Sequence, residues 1–163
     1  MVVEAVHPET GVRYRIDIPS LRTEDLDGMI KEHATDEMIK SYIERLSVSA
    51  ETKALLFKLS KFTITVGQAL VKFGKKVLEI IILLATKYKE ATLGVIIGAL
   101  LTFLISIIPI LGPILAGFLG SFLMIFGLGK GLWEKVKKDS PRLAASITDA
   151  GVIFEPLNDG AAA

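Results

Sequence analysis

Few side chains in this sequence could carry out chemistry. The chain has no cysteine and two histidines, His7 and His33, so thiolate catalysis, disulfides and cysteine-ligated metal sites are excluded. His33 lies close in sequence to Glu32, Asp36 and Glu37, which offer oxygen atoms that bind metals. There is no HExxH pattern and no second histidine nearby. We therefore interpret His33 as a solvated residue at a helix end and expect no metal site.

One glycine-rich segment resembles a phosphate-binding loop in part. Gly127-Leu-Gly-Lys130-Gly131 has glycines beside a lysine, but Met124 occupies the position of the first glycine, and no Ser or Thr follows the lysine. The two histidines are also not placed to build a Ser-His-Asp grouping. We expect no enzyme, no cofactor and no small-molecule substrate.

The composition of the chain is strongly apolar. Hydrophobic residues make up 51% and the mean hydropathy is +0.52, which is high for a soluble domain. The net charge of +1 argues against a nucleic-acid binder.

Charge is distributed very unevenly along the chain. Residues 1–50 carry six basic and ten acidic side chains, 51–90 eight and three, 91–129 none, and 130–163 five and five. The predicted segments are an acidic head (1–49), a basic amphipathic helix (50–90), an uncharged hydrophobic helical hairpin (91–129) and a basic juxtamembrane segment with a tail (130–163).

The acidic head has the pattern of a small mixed structure. Val2–Val6 and Val12–Ile18 are β-rich runs separated by a turn that contains proline and glycine, which predicts a β-hairpin. Thr23 and Thr35 each precede two acidic residues, which is a helix N-cap signal. Two short helices are therefore expected, at 24–34 and 36–46.

Apolar residues in the basic segment repeat at helical spacing. They recur at steps of three and four over about eight turns, at Leu55, Leu59, Phe62, Val66, Ala69, Phe73, Val77, Ile80 and Leu84. Ser49 can cap such a helix, so we predict one continuous amphipathic helix over 50–90. Its lysines fit an anionic membrane surface, along which their aliphatic stems would lie. They fit the water-facing side of a helix bundle equally well.

The uncharged segment is interrupted near its middle. Its 39 residues contain Pro109, Gly112 and Pro113, which break a helix and permit a turn. The arms on either side, 91–108 and 114–129, would be about 27 and 24 Å long, slightly short of a bilayer core of ~30 Å. We therefore predict a helical hairpin that nearly spans a membrane or lies deep in one leaflet.

Both ends of the predicted hairpin have residues typical of a membrane interface. Tyr88 precedes it and Trp133 follows it, as in an aromatic belt. Lysines flank the same two ends, at Lys87, Lys89, Lys130 and Lys135. Because positively charged ends favour the cytoplasmic side of a membrane, we expect both ends and the head on that side.

Small residues in the hairpin predict close helix packing. In the first arm they recur every four residues, at Gly94, Gly98, Thr102 and Ser106, and in the second arm they are Gly117, Gly120, Ser121 and Gly127. Such faces let helices approach closely in lipid, either within one chain or between chains. Phe118, Phe122 and Phe126 form a separate stripe, which we expect to face lipid or a neighbouring protomer.

The tail contains one strand-like triplet, Val152–Phe154. We predict that it joins the N-terminal β-hairpin as a third strand, which would bring the two ends of the chain together. The predicted fold class is mainly α, with a long amphipathic helix, an uncharged hydrophobic helical hairpin, and a small N-terminal β-hairpin followed by two short helices.

Three functions fit this organisation. The first needs the fewest assumptions: a membrane-embedded hairpin protein that oligomerises as a scaffold or as a subunit of a membrane complex, with the lipid bilayer and further copies of itself as partners. The second is a membrane-permeabilising protein, such as a lysis factor or toxin. A charged helical region that encloses an uncharged hairpin is similar in architecture to pore-forming colicin domains and Bcl-2-like proteins, and this likeness implies membrane insertion. The third is a soluble or virion-like assembly that buries the hairpin between chains.

Overall fold

A computed structural model describes residues 1–158, and the last five residues of the predicted tail lie outside the described part. The described chain is 65% helix, with eight α-helices and one small four-stranded antiparallel sheet. This confirms the mainly α class. The chain divides into two compact units, and the boundary falls between Glu79 and Ile80, so the predicted segment 50–90 belongs to both.

The N-terminal unit is built on the sheet. The strands are β1 (Val2–Val6), β2 (Arg13–Asp17), β3 (Ile64–Val66) and β4 (Ala69–Val71), in the order β2-β1-β3-β4. Every neighbouring pair is antiparallel, and Val2 lies opposite Asp17 at one end of the β1–β2 ladder. Val3 and Ala5 on β1 are almost fully buried, whereas the residues between them are less so. This alternation is typical of a sheet covered on one face.

Three helices of this unit are α1 (Asp27–Ile30), α2 (Asp36–Arg45) and α3 (Ala50–Ser60). Two of them, α2 and α3, begin at side-chain caps. The Thr35 hydroxyl oxygen accepts a hydrogen bond from the Met38 amide at the start of α2, and that of Ser49 accepts one from the Thr52 amide at the start of α3. Both caps were predicted. The helix expected at 24–34 is shorter, because the chain forms a 3₁₀ turn at Thr23–Leu26 and then the single turn of α1.

The prediction of one continuous helix over 50–90 is wrong. The chain leaves α3 after Ser60 and forms β3, a turn and β4 before α4 (Phe73–Lys87) begins. Residues 63–66 are Thr-Ile-Thr-Val, and such β-branched residues favour extended backbone. Phe62, Ile64 and Val66 are buried while the threonines between them are exposed. Gly67 closes the turn with a φ of 61°.

The C-terminal unit surrounds one apolar helix. After the end of α4, its helices are α5 (Leu93–Ile107), α6 (Gly112–Phe126), α7 (Leu132–Asp139) and α8 (Pro141–Gly151), with 3₁₀ turns at Pro109–Leu111 and Val152–Leu157. α5 packs against α6, α7 and α8, and its residues Leu100, Leu101 and Leu104 are fully buried. α5 is therefore the core helix of this unit.

The prediction that Val152–Phe154 adds a third strand to the sheet is also wrong. These residues lie in the last 3₁₀ turn, where Phe154 is fully buried. The place beside β1 is taken by β3, which pairs Val3 with Val66 and Ala5 with Ile64. A triplet is too short a pattern to distinguish a strand from a single helical turn.

Candidate membrane-contact face

α6 is an uncharged helix with one buried side and one exposed side. The buried residues, each at most 6% exposed, are Ile114, Leu115, Phe118 and Phe122. The exposed residues share the opposite side and are Pro113, Ala116, Gly117, Gly120 and Met124, the last of them 85% exposed. Over Pro109–Phe126 the mean hydropathy is 2.0 and 28% of the segment is buried. Among residues 1–158 this is the one helical segment long and apolar enough to cross a membrane, judged by length and composition alone.

Two phenylalanines of the predicted stripe, Phe118 and Phe122, face the interior of the C-terminal unit and not outward. Phe118 is 6% exposed and Phe122 is fully buried, and the Phe122 ring stacks on Phe126 with 6.4 Å between ring centroids. Phe118 and Phe122 therefore belong to the core of the C-terminal unit, together with Ile114 and Leu115. The prediction that Phe118 and Phe122 face lipid or a second protomer is therefore wrong, and the outer side of α6 is made of small residues and Met124.

The small residues of α5 serve packing inside the chain. A Cβ placed on Gly94 would lie 2.6 Å from Cγ of Phe126, and one on Gly98 would lie 2.5 Å from Cδ2 of Leu132. Both glycines thus let α6 and α7 approach α5 closely. The hydroxyl of Thr102 donates to the Gly98 carbonyl at 2.7 Å, which satisfies it within its own helix.

Ser106 of α5 and the small residues of α6 do not take part in this packing. The Ser106 hydroxyl is exposed and donates to the Phe103 carbonyl at 2.6 Å. A Cβ on Gly117, Gly120 or Gly127 would meet no atom within 4 Å. The Ser121 hydroxyl donates back to the Gly117 carbonyl at 3.1 Å. α6 therefore presents an uncharged outer surface whose one side-chain hydroxyl is already bonded, so the surface demands little hydration.

The prolines of the predicted turn have the expected roles, and its glycine has a different one. Pro109 opens the 3₁₀ turn and Pro113 lies in the first turn of α6, where a helix loses nothing from a missing amide donor. Gly112 has a φ of −50°, an ordinary helical value. The change of direction is instead made at Ile108, whose φ and ψ are −127° and 75°.

The flanking aromatic residues contact the rest of the C-terminal unit. The Tyr88 hydroxyl donates to the Arg142 carbonyl at 2.9 Å, and Ser146 is its second partner on α8. The Trp133 ring lies 5.3 Å from that of Phe103. Of the flanking lysines, Lys87 bonds to the Ser146 hydroxyl at 3.5 Å. The side chains of Lys89, Lys130 and Lys135 are exposed.

The N-terminal unit contains a cluster of ion pairs that the sequence did not predict. Oε1 of Glu32 lies 2.9 Å from Nζ of Lys72 and 3.6 Å from Nζ of Lys75, and Lys75 also lies 3.2 Å from Oδ1 of Asp36. The hydrogen bond from Lys72 lowers the pKa of Glu32, and the hydrogen bond from Lys75 lowers the pKa of Asp36. No three metal-ligating side chains converge within residues 1–158. Only the fold brings these lysines to acids that lie 39 to 43 residues earlier in the chain.

Comparison with known proteins gives no family or function for this chain. No family model matches the chain, and no curated protein and no solved structure matches it. The two surface features that stand out are the uncharged outer side of α6 and the lysine cluster of the N-terminal unit. The first of them is apolar and uncharged, and an exposed apolar patch is typical of a surface that contacts lipid or another protein.

Proposed function

We propose that this chain is a membrane protein, held at the bilayer by the α5–α6 helical hairpin, and that it acts as a scaffold or subunit of a membrane complex. The observation that supports the proposal is the outer side of α6, which is uncharged over its whole length and ends at Met124, 85% exposed. Removing such a surface from water is favourable in proportion to its apolar area. No charge has to be transferred when it enters lipid.

The depth of insertion follows from the helix lengths and from the other side of the unit. α5 and α6 have 15 residues each, or about 22 Å of helix, which is shorter than a ~30 Å hydrocarbon core. α7 covers part of α5 and exposes Glu134, Lys135, Lys137 and Lys138. Because those charges require water, we propose that α6 lies in one leaflet and that α7 faces the aqueous phase. α5 then remains covered by both helices.

The charge on the flanks suggests which side of the membrane this is. Lys89, Lys130 and Lys135 are exposed around the ends of the hairpin and would lie at the level of the headgroups. Clusters of lysine favour the anionic cytoplasmic leaflet. We therefore propose that the hairpin ends and the N-terminal unit are cytoplasmic.

Self-association would use the same side of α6. Gly94 and Gly98 are occupied by contacts within the chain, whereas Gly117 and Gly120 have open space above them. Small residues on an exposed helix side let a second helix approach closely in lipid. The proposed contact between copies is therefore α6 against α6, with Met124 beside the glycines.

The burial of α5 favours a second candidate function, membrane permeabilisation. α5 has no charged residue, yet eight of its residues are buried within the folded chain. An apolar helix stored in this way can insert only after the helices around it have moved apart. If that happens at a membrane, the chain would release the contents of vesicles rather than only bind to them.

Vesicle flotation with one substituted position tests the proposal. Met124→Lys places a charge on the proposed lipid contact near the end of α6, where the cost is below the ~3 kcal/mol of a helix centre because lysine can extend toward the headgroups, so flotation should fall severalfold. Met38→Lys is the matched control, because Met38 is also exposed, at 57%, and lies in the N-terminal unit. Binding of the wild type should also persist in high salt, since its source is hydrophobic.

The same preparation separates the two functions. A dye trapped in the vesicles stays inside if the chain is a scaffold and escapes if it permeabilises the bilayer. Equal flotation of the Met124→Lys and Met38→Lys variants would contradict the α6 contact. A wild-type chain that stays in buffer as an assembly of defined mass would favour the third function, burial of the hairpin between subunits.

A further inference from the structure

The N-terminal unit contains an open cavity next to the ion-pair cluster. Its volume is about 580 Å³, which is in the range of small-molecule sites. It is formed by residues of α2, α3 and the start of α4, together with the segments that adjoin them. Four lysines line it, namely Lys40, Lys61, Lys72 and Lys75, and one part of its wall is apolar, from Ile39 and Phe57.

Positive charge is in excess in this cavity. Two carboxylates line it beside the four lysines, and Glu32 at its border pairs with Lys72 and Lys75. Lys75 is 5% exposed, and a buried amine requires a partner of opposite charge. Lys40 and Lys61 are exposed, and neither has a carboxylate in ion-pair contact within residues 1–158. Two lysines are thus available to an anion from outside.

Glu32 illustrates how the site holds an oxygen anion. A single oxygen of its carboxylate lies 2.9 Å from the amine of Lys72 and 3.6 Å from that of Lys75. The two amines therefore both lie near one carboxylate oxygen, and lysines bind phosphate oxygens in the same way, as point charges. A phosphate monoester carries close to two negative charges at neutral pH, and the unpaired Lys40 and Lys61 match that number.

We propose that this cavity binds a phosphate monoester, with the phosphate held by the unpaired Lys40 and Lys61 and the organic part against Phe57 and Ile39. A soluble phosphorylated compound and the headgroup of phosphatidic acid present the same group. The proposal does not depend on the α6 contact, because the cavity residues and α6 belong to different units.

Phenyl phosphate is the soluble probe, titrated calorimetrically into the full chain. We expect it to bind more tightly than inorganic phosphate, because its ring can lie against Phe57. Lys61→Gln should raise the dissociation constant about tenfold, as expected when a charged hydrogen bond is lost. Lys58→Gln is the matched control on α3: Lys58 lies outside the cavity and pairs with Glu9 at 3.0 Å. It should change the constant less than about twofold.

Phosphatidylcholine vesicles with and without phosphatidic acid distinguish the two sources. A lipid source predicts that the wild type and Lys58→Gln prefer the vesicles with phosphatidic acid and that Lys61→Gln loses this preference. A soluble source predicts binding of phenyl phosphate with no such preference. The proposal is overturned if neither probe binds, or if Lys58→Gln and Lys61→Gln weaken binding equally. Thermal unfolding checks that each variant is folded, and Lys40→Gln, also exposed, provides a second variant.

Discussion

The substitution Gly94→Ala tests whether α5 packs on α6 within one chain. The new methyl group would lie 2.6 Å from Cγ of Phe126, 2.9 Å from its Cδ2 and 3.0 Å from its Cβ. Cβ does not move when the Phe126 side chain rotates, and Cγ moves only with a change of χ1, so relief of the contact requires a new rotamer of a packed ring or a shift of the backbone. Overpacking of this kind costs about 1–3 kcal/mol. The higher helix propensity of alanine than of glycine offsets at most about 1 kcal/mol of that cost.

Gly120→Ala is the matched control, since it is the same change on α6 at a position with no atom within 4 Å. It should stabilise the helix by up to about 1 kcal/mol. The two variants should therefore differ by about 2 kcal/mol, or roughly 4–8 °C in Tm for a chain of this size. The single tryptophan, Trp133, lies 5.3 Å from Phe103 of α5, so its fluorescence reports the unfolding of this unit in mild detergent.

Light scattering on the wild type and Gly94→Ala gives the mass of the assembly; Gly120→Ala controls for stability only, because Gly120 lies in the proposed contact between copies. If Gly94 packs within the chain, Gly94→Ala lowers the unfolding temperature and leaves the mass unchanged. The reasoning is refuted if the variant unfolds like the wild type but forms a smaller assembly. That result would move the glycines of α5 to a contact between copies.

Three further predictions concern other parts of the chain. Gly74→Ala should destabilise the protein by about 3 kcal/mol in chemical denaturation, because its Cβ would overlap the backbone carbonyl of Leu59; Gly120→Ala again serves as the control. Asp36→Asn should flatten the loss of stability in acid: Lys75 lowers the pKa of Asp36 below its ordinary 3.8, so the stabilisation is present above that pH and disappears as the pH falls through the lower, folded value. Equal acid unfolding curves for variant and wild type would contradict this. Tyr88→Phe should cost about 1 kcal/mol in thermal unfolding, since a single hydroxyl that bonds to α8 is removed, while oligomer mass stays the same.

The local signals in the sequence gave correct results where one short pattern had one physical meaning. The caps at Thr35 and Ser49 fix the starts of α2 and α3 because their hydroxyl oxygens satisfy free amides. The lack of charge over 91–129 identified the most apolar part of the chain. The prolines at 109 and 113 placed the break between its helices. Each of these inferences depends on residues that are adjacent in the chain.

The errors arose where one spacing suits two structures. Phe62, Val66, Ala69 and Phe73 follow one another at steps of four, three and four, which a helix explains, yet Phe62, Ile64 and Val66 are buried as alternate residues around β3. The β-branched run and Gly67 were the signals that could have decided between them. The sequence alone does not predict the ion-pair cluster. Glu32 and Asp36 come close to Lys72 and Lys75 only after β3 and β4 have folded between them in the chain.

The position of β3 in the sheet has a consequence for synthesis on the ribosome. β1 needs β3 as a neighbour, so the sheet cannot close until residues near 66 have been made, but it is complete before the first residue of α5, Leu93, is added. Domains generally fold as units in the order of synthesis. The N-terminal unit can thus become compact while the apolar helices are still inside the ribosome. A membrane that receives α5 and α6 would then meet them as the continuation of a head that is already folded.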